Sequence, residues 1–282
     1  STDMIRFIAI DLDGTLLADD KSIPEANKKA LERAKEAGIE TGLCSGRALP
    51  GLKAVLNELG PQRLGRYHIG LNGGMLYDAQ ENQVVEAHPI GEDCVRRVLA
   101  LGREWADRVN IQLYTREHAY VERRCASTAV YERLNRCQLQ EVPTLDALAA
   151  KAVKIVLIFH EADQLRDYHR AKELQAELSP RLPAGTSCCC SCEYLCEIIR
   201  SDCNKGTGLQ RLAQKLGIQQ DEILAIGDND NDRAMLETAG YPAAVANAAP
   251  AVQALCRSVS RRTNTEGGVA ELINKIIFAE DE

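Results

Sequence analysis

Residues 8–17 read IAIDLDGTLL. The apolar run from Arg6 to Ile10 predicts a buried strand, and Asp11 and Asp13 follow it directly, ahead of a turn at Gly14 and Thr15. A chain that turns as it leaves a strand can aim both carboxylates into one cleft. Such a pair suits nucleophilic catalysis by a carboxylate, whose charge needs a divalent cation beside it while its neighbour handles the proton. Taken alone, the pattern also suits a plain turn that uses Asp and Gly for their dihedral tolerance. The rest of the chain decides between the two.

Outward from this stretch, Pro24 to Ala37 predicts a helix that starts at Pro24 and stops at Gly38, and Ile39 to Cys44 predicts a second strand. A helix over 48–59 and a strand from His68 to Leu71 follow. Strand and helix in alternation imply a parallel sheet with right-handed crossovers, whose ligands gather beyond the carboxyl ends of the strands. The rhythm returns late, with helix Lys205 to Leu216, strand Ile223 to Ile226, helix Asp232 to Ala239 and an extended piece from Pro242 to Ala246. Helices over Pro250 to Cys256 and Gly268 to Ile277 close the series. Between these halves the pattern changes: helices at 91–107, 123–136 and 161–178 interleave with strands at 109–114, 118–121, 153–159 and 186–190. The expected class is therefore α/β, a Rossmann-like parallel-sheet core from residues 1–82 and 193–282 with an α/β (α+β) cap, 83–192, inserted into it.

Further polar groups stand at the ends of those predicted strands. LCSGR (43–47) offers the Ser45 hydroxyl, the Gly46 backbone N–H for close approach to an anion, and Arg47. LNGG (71–74) contributes Asn72. Asn204-Lys205-Gly206 stands at a helix start, where the backbone dipole and an ammonium both favour phosphate. AIGDNDND (225–232) places Asp228, Asn231 and Asp232 just after a strand.

DLDGT, SGR, NKG and GDNDND in this order, with LNGG between the second and third, make the chain resemble the haloacid dehalogenase superfamily of phosphohydrolases. More narrowly it is similar to the Cof-type subfamily, in which a large α/β cap is inserted after the third core strand. The resemblance implies that Asp11 attacks phosphorus and that Asp13 protonates the leaving oxygen and later activates water. It implies that Ser45 and Lys205 hold phosphoryl oxygens, with Gly46, Arg47, Asn72 and Asn231 around the phosphate or substrate. Mg²⁺ would be bound by the Asp11 and Asp228 carboxylates and the Asp13 main-chain carbonyl, an all-oxygen shell that a hard cation requires. Asn231 and Asp232 would orient metal-bound water or Lys205 from behind. The chain departs from the family pattern twice: Asn204 replaces the usual Ser or Thr before the lysine but still caps a helix well, and Ser45 replaces Thr while keeping the hydroxyl.

The chain has 282 residues with 34 basic and 41 acidic side chains, a net charge of -7, which repels polyanions and argues against a nucleic-acid partner. No apolar run approaches 18 residues, which argues against a spanning helix. The opening STDMIRFIAIDLDG shows no basic and apolar leader pattern, so a reducing cytoplasmic location with mostly free thiols is expected. Of 11 cysteines, six fall between Cys188 and Cys203. Their CxC and CxxxC spacings lack the paired CxxC knuckles of structural zinc. Strand alternation would send Cys188 and Cys190 to one face and Cys189 to the other, so packing in two strands is expected.

In the cap, Arg116, His118, Arg123 and Arg124 are the substrate-facing candidates, against a reading as solvated charges; His160 and His169 read as structural. The reading is a Mg²⁺-dependent phosphatase for small phosphorylated metabolites, sugar phosphates first, through an aspartyl phosphate at Asp11. Its rivals are a phosphosugar mutase of the same fold and a regulatory protein without turnover. The last should lack Asp11, Asp13, Lys205 or Asp228, and all four are present. The sequence carries no signal of oligomeric state.

Overall fold

The computed structural model describes residues 5–161, 168–192 and 195–280, with the side chains of residues 168, 191 and 192 left aside. The first part of the chain gives β1 (Phe7–Ile10), α1 (Glu25–Glu36), β2 (Glu40–Leu43), α2 (Leu49–Leu59), β3 (Tyr67–Gly70), β4 (Met75–Asp78) and β5 (Gln83–Ala87). The middle gives α3 (Glu92–Arg103), β6 (Val109–Tyr114), β7 (Ala119–Val121), α4 (Ala126–Asn135), β8 (Leu139–Glu141), β9 (Lys154–Phe159), α5 (Tyr168–Leu178), β10 (Thr186–Cys192) and β11 (Leu195–Arg200). The last part gives α6 (Lys205–Leu216), β12 (Ile223–Gly227), α7 (Arg233–Thr238), β13 (Tyr241–Ala244), α8 (Pro250–Gln253), β14 (Ser258–Val259) and α9 (Gly268–Ile276).

The chain divides into two compact units. One runs to Ser45, resumes over Val55–Val85 and closes from Asn204 onward; the other takes Gly46–Ala54 and Glu86–Cys203. In the first, five strands lie in the order β14-β13-β12-β1-β2, all pairs parallel. Every residue of β1 and β12 is buried. Strands covered on both faces read as continuous apolar runs, which is why FIAI and ILAIG stand out in the sequence. Since β1 is flanked by the early β2 and the late β12, its carboxyl end is the point where the strand order reverses, and the crevice of an open α/β sheet forms there.

Helix ends follow local chemistry. The Asn204 side chain accepts the Thr207 N–H at 2.9 Å, and α6 ends at Gly217 in the left-handed region. The third predicted strand differs from expectation. Among the described residues a single parallel bridge, Cys44 to Ile69, ties β3 to the sheet, and β3 otherwise pairs antiparallel with β4 in a small sheet completed by β5.

In the second unit, six strands lie in the order β10-β11-β9-β6-β7-β8. The pairs β10·β11, β11·β9, β9·β6 and β6·β7 are antiparallel, and β7·β8 is parallel. Helices α3 and α5 cover an apolar cluster that includes Val95, Leu99, Ile155, Leu157, Leu174 and Ile198. The inserted segment therefore reaches Cys203, beyond the expected boundary at 192, because β11 is a central rung: Leu195 pairs with Ile158 and Ile198 with Ile155. The short piece Gly46–Ala54 also belongs to this unit. The helix expected over 161–178 is observed from Tyr168, and residues 162–167 of that expectation lie outside the described residues.

An ion pair lies inside the second unit. Lys154 Nζ is 2.7 Å from Glu197 Oε1 and donates to the Gly46 carbonyl at 2.7 Å, with both side chains almost wholly enclosed. Its ammonium also stands 5.1 Å from the Tyr114 ring centroid. The cysteines divide as strand alternation predicts: Cys188 and Cys190 pack against the apolar cluster around buried Cys196, whereas Cys189 turns its thiol to Glu197. The ten cysteines whose side chains are described form no disulfide.

Candidate active site

Asp11 leaves the end of β1 with its N–H donated to the Ile226 carbonyl of β12 at 3.1 Å, so the sheet itself fixes where its side chain starts. The chain then coils through Leu12–Leu16. Leu16 N–H returns to the Asp11 carbonyl at 3.2 Å, Asp13 stays extended, and Gly14 enters the left-handed region at φ 80°. This turn brings Thr15 under the late loop, where its hydroxyl donates to Asp228 Oδ1 at 2.7 Å.

Lys205, the first residue of α6, is 1% exposed and bonds two carboxylates, Asp11 Oδ1 at 2.8 Å and Asp232 Oδ1 at 2.7 Å. The other oxygen of Asp232 accepts the N–H groups of Asp228 at 2.9 Å and Asn229 at 3.1 Å. Asp232 thus anchors both Lys205 and the backbone that carries Asp228. Oxygens of Asp11, Asp228 and Asp232 all lie within 4.8 Å of one another.

Three carboxylates here face one ammonium. Burial, then repulsion from Asp232, pushes the Asp11 carboxyl well above its ordinary range, and the same two causes raise Asp228 to about 6. Burial by itself would lower the Lys205 ammonium, but Asp11 and Asp232 outweigh it and hold it charged. Oxygens of Asp11 and Asp228 lie within 4.8 Å of one another, so each carboxylate disfavours charge on the other and the pair gains by holding a proton. An oxygen-only donor set with surplus negative charge fits a hard divalent cation such as Mg²⁺ in place of that proton.

Around this centre, Ser45 is buried at the end of β2, its N–H donated to Ile69 and its carbonyl accepting the Asn72 N–H at 3.0 Å. Asn72 is buried in the left-handed region at φ 56°. Beside it Gly73 is obligatory: a Cβ there would fall 1.9 Å from the Asn204 carbonyl, so the LNGG turn lies directly on the α6 cap. Asn231 Oδ1 is buried and has no hydrogen-bond partner among the described residues. Asp13 points instead to Lys21, whose Nζ is 2.9 Å from its Oδ1, both partly exposed.

Gly46 and Arg47 group with the inserted unit. Arg47 is 4% exposed and its Nη2 donates at 3.3 Å to the Leu134 carbonyl, one of the last carbonyls of α4 that lack a helical partner. The expected cap residues are scattered. Arg124 is engaged with Glu132 and the Leu139 carbonyl. Arg116 and Arg123 are exposed. His118 borders a hollow of about 540 Å³ with Arg133 and Arg136. His160 bonds the Ala106 carbonyl at 2.7 Å, and exposed His169 faces Glu173.

Residues 8–273 match the model of the haloacid dehalogenase-like hydrolase family. The chain belongs to that family. The Bacillus subtilis protein YxeH is 32% identical over 98% of this chain and all of its own length. Pyridoxal phosphate phosphatase YbhA of Escherichia coli is 30% identical over 95% of this chain and 97% of its own. Among solved structures, a haloacid dehalogenase-like hydrolase from Bacteroides thetaiotaomicron superposes with a TM-score of 0.82 at 26% identity, covering 96% of this chain and 99% of that one. A Rossmann-like core with a cap, expected from the strand rhythm, is the architecture of this hydrolase family.

Three groups of this hydrolase escaped the sequence reading. Thr15 stands inside DLDGT and was open to it, as the hydroxyl nearest the paired acids. Asn247, whose amide holds the Gly14 carbonyl at 2.8 Å, and Lys21 carry no motif signal. No helix among the described residues is long and apolar enough to cross a membrane.

Proposed function

We propose that this hydrolase is a Mg²⁺-dependent phosphatase of small phosphorylated metabolites, sugar phosphates first, working through an aspartyl phosphate at Asp11. The observation that carries the reading is the pair of bonds from Lys205 to Asp11 and Asp232 beside Asp228, because phosphoryl transfer rests on positioning and charge neutralisation. Asp11 and Asp228, with the Asp13 carbonyl, would hold Mg²⁺, which when bound neutralises charge on the phosphoryl group. Lys205 aims the Asp11 carboxylate, neutralises it and contributes the second positive charge. Ser45 and Asn72 would donate to phosphoryl oxygens, and Gly46, Arg47 and Asn231 are proposed as further phosphate or substrate ligands. Asp13, held by Lys21, is the group assigned to give the leaving oxygen its proton and to take one from water. The activity of the Escherichia coli relative, a pyridoxal phosphate phosphatase, supports a small phosphate monoester as substrate. A location in the cytoplasm agrees with this substrate class.

The test is hydrolysis of p-nitrophenyl phosphate by wild type and Asp11→Asn, with circular dichroism as the folding control. Asp11→Asn should be inactive and folded; turnover by the variant would remove Asp11 as nucleophile. EDTA should silence the wild type and Mg²⁺ restore it. A panel of phosphorylated metabolites ranked by kcat/KM tests the sugar-phosphate assignment, which fails if that class ranks below the rest.

A further inference from the structure

The cysteine-rich stretch is not used by the phosphatase reading, yet two of its thiols are placed for chemistry. Cys190 Sγ on β10 and Cys196 Sγ on β11 are 3.5 Å apart. The ladder pairs Cys188 with Ile198 and Cys189 with Glu197; continued in that register Cys190 would face Cys196, within the irregular stretch that ends with Cys192 opposite Leu195. Facing residues on one side of an antiparallel pair have Cβ atoms about 4.5–5.5 Å apart. A disulfide takes about 3.5–4.5 Å, a small adjustment at an irregular rung. Both thiols also direct themselves at one acceptor, the Ala171 carbonyl of α5, at 3.3 Å each. Cys196 is fully buried and Cys190 half-buried, so an oxidant from solvent meets Cys190 first.

We propose that Cys190 and Cys196 are a peroxide-sensitive dithiol, a covalent modification site within the inserted unit that closes to a reversible disulfide. Cys190 sulfur attacks one oxygen of hydrogen peroxide, the O–O bond breaks, and Cys190 sulfenic acid and one water form. Cys196 sulfur then displaces the sulfenic hydroxyl, the S–S bond forms, and the Cys196 proton leaves with that hydroxyl as a second water. Two electrons pass from the sulfurs to the peroxide. The order agrees with the acidities: the hydrogen bond from Cys196 lowers the Cys190 thiol, while Cys188 and Cys190 raise the Cys196 thiol. Cys188 packs on the same face and is the internal competitor.

The experiment is hydrogen peroxide treatment of the full chain, followed by non-reducing peptide mapping by mass spectrometry and a thiol count in denaturant. The count should fall by two from the eleven of the sequence, the linked peptides should join Cys190 to Cys196, and dithiothreitol should restore both. Cys188→Ser should retain the crosslink and Cys190→Ser should lose it, with thermal melts confirming that both variants fold. A bond from Cys196 to Cys188, a bond elsewhere, or oxidation of Cys190 to sulfinic acid with no crosslink would each overturn the assignment. Wild-type mapping decides even if a variant does not fold, and no readout depends on the phosphatase assignment.

Discussion

A Cβ built on Gly14 would stand 2.3 Å from Asp228 Oδ2, so the turn after the first strand and the acidic loop after β12 are in direct contact and leave no room for a side chain at Gly14. Gly14 also holds φ at 80°, which disfavours any other residue. Gly14→Ala should push Asp228 off its position by a fraction of an ångström or more. Misplacements of that order cost about 100-fold in rate, so kcat/KM should fall about that much, with a raised Mg²⁺ requirement. A Mg²⁺ titration of activity that superposes on wild type would show that the contact relaxes without consequence.

Lys205→Met should both inactivate and destabilise. It leaves Asp11 and Asp232 buried without their shared cation, and removing one partner of a buried ion pair typically costs about 3–5 kcal/mol. Urea unfolding in EDTA should show that loss. Lys205→Arg should not rescue activity, because a planar fork cannot replace a point charge between two carboxylates already at 2.8 Å and 2.7 Å.

His68 gives an acid-side prediction. Its Nδ1 accepts the Leu43 N–H at 3.0 Å and its Nε2 bonds the Gly65 carbonyl at 2.8 Å, so the buried ring is neutral, and burial lowers it to about 4. The unfolded chain, with an ordinary value near 6.5, binds the proton more readily. Stability from this group is therefore full above about 6.5 and is lost as pH falls towards 4, by about 3 kcal/mol. His68→Gln should flatten that slope in urea midpoints measured across the range; an unchanged slope would place its origin elsewhere.

Asp228 acts with the opposite sign in metal-free protein. Its folded value of about 6 lies above the unfolded one, so the folded state binds the proton more tightly and stability falls as pH rises from about 4 to about 6. A divalent cation that replaces the proton should cancel this. Thermal melts in EDTA and in Mg²⁺ should therefore separate progressively as pH rises through that window, and a gap that does not widen would contradict the charge balance described here.

The sheet and the acidic centre were legible for the same reason. Strands β1 and β12 are buried on both faces and read as unbroken apolar runs, and the clustered acids Asp11, Asp228 and Asp232 follow their ends, where polar groups interrupt the run. Caps such as Asn204 and Gly217 act over three or four residues and are equally plain. What stayed hidden depends on distant pairing. Nothing in LCEIIR says that β11 ladders with β9 rather than joining the parallel sheet, so the sequence pattern alone ends the insert before it. Asn247 reaches Gly14 across 233 positions, and Lys21 looks like any exposed lysine until Asp13 is seen beside it. Arg47 reads as an anion ligand next to SG, but the end of α4 claims one of its amino groups.

The parallel pairing of β1 with β12 has a consequence for biosynthesis. Phe7 meets Ile223 only after the whole inserted unit has been translated, and Lys205 and Asp232 come later than any residue of that unit. The inserted sheet pairs strands from within its own stretch and can form while the ribosome still holds the remainder. The first strand must wait, half-partnered by β2, and contacts so far apart in sequence are slow to close. A nascent chain therefore lacks the complete Asp11, Lys205 and Asp232 cluster until residue 232 emerges; truncation before residue 205 leaves Asp11 with neither group, and truncation between 205 and 231 leaves it Lys205 without Asp232.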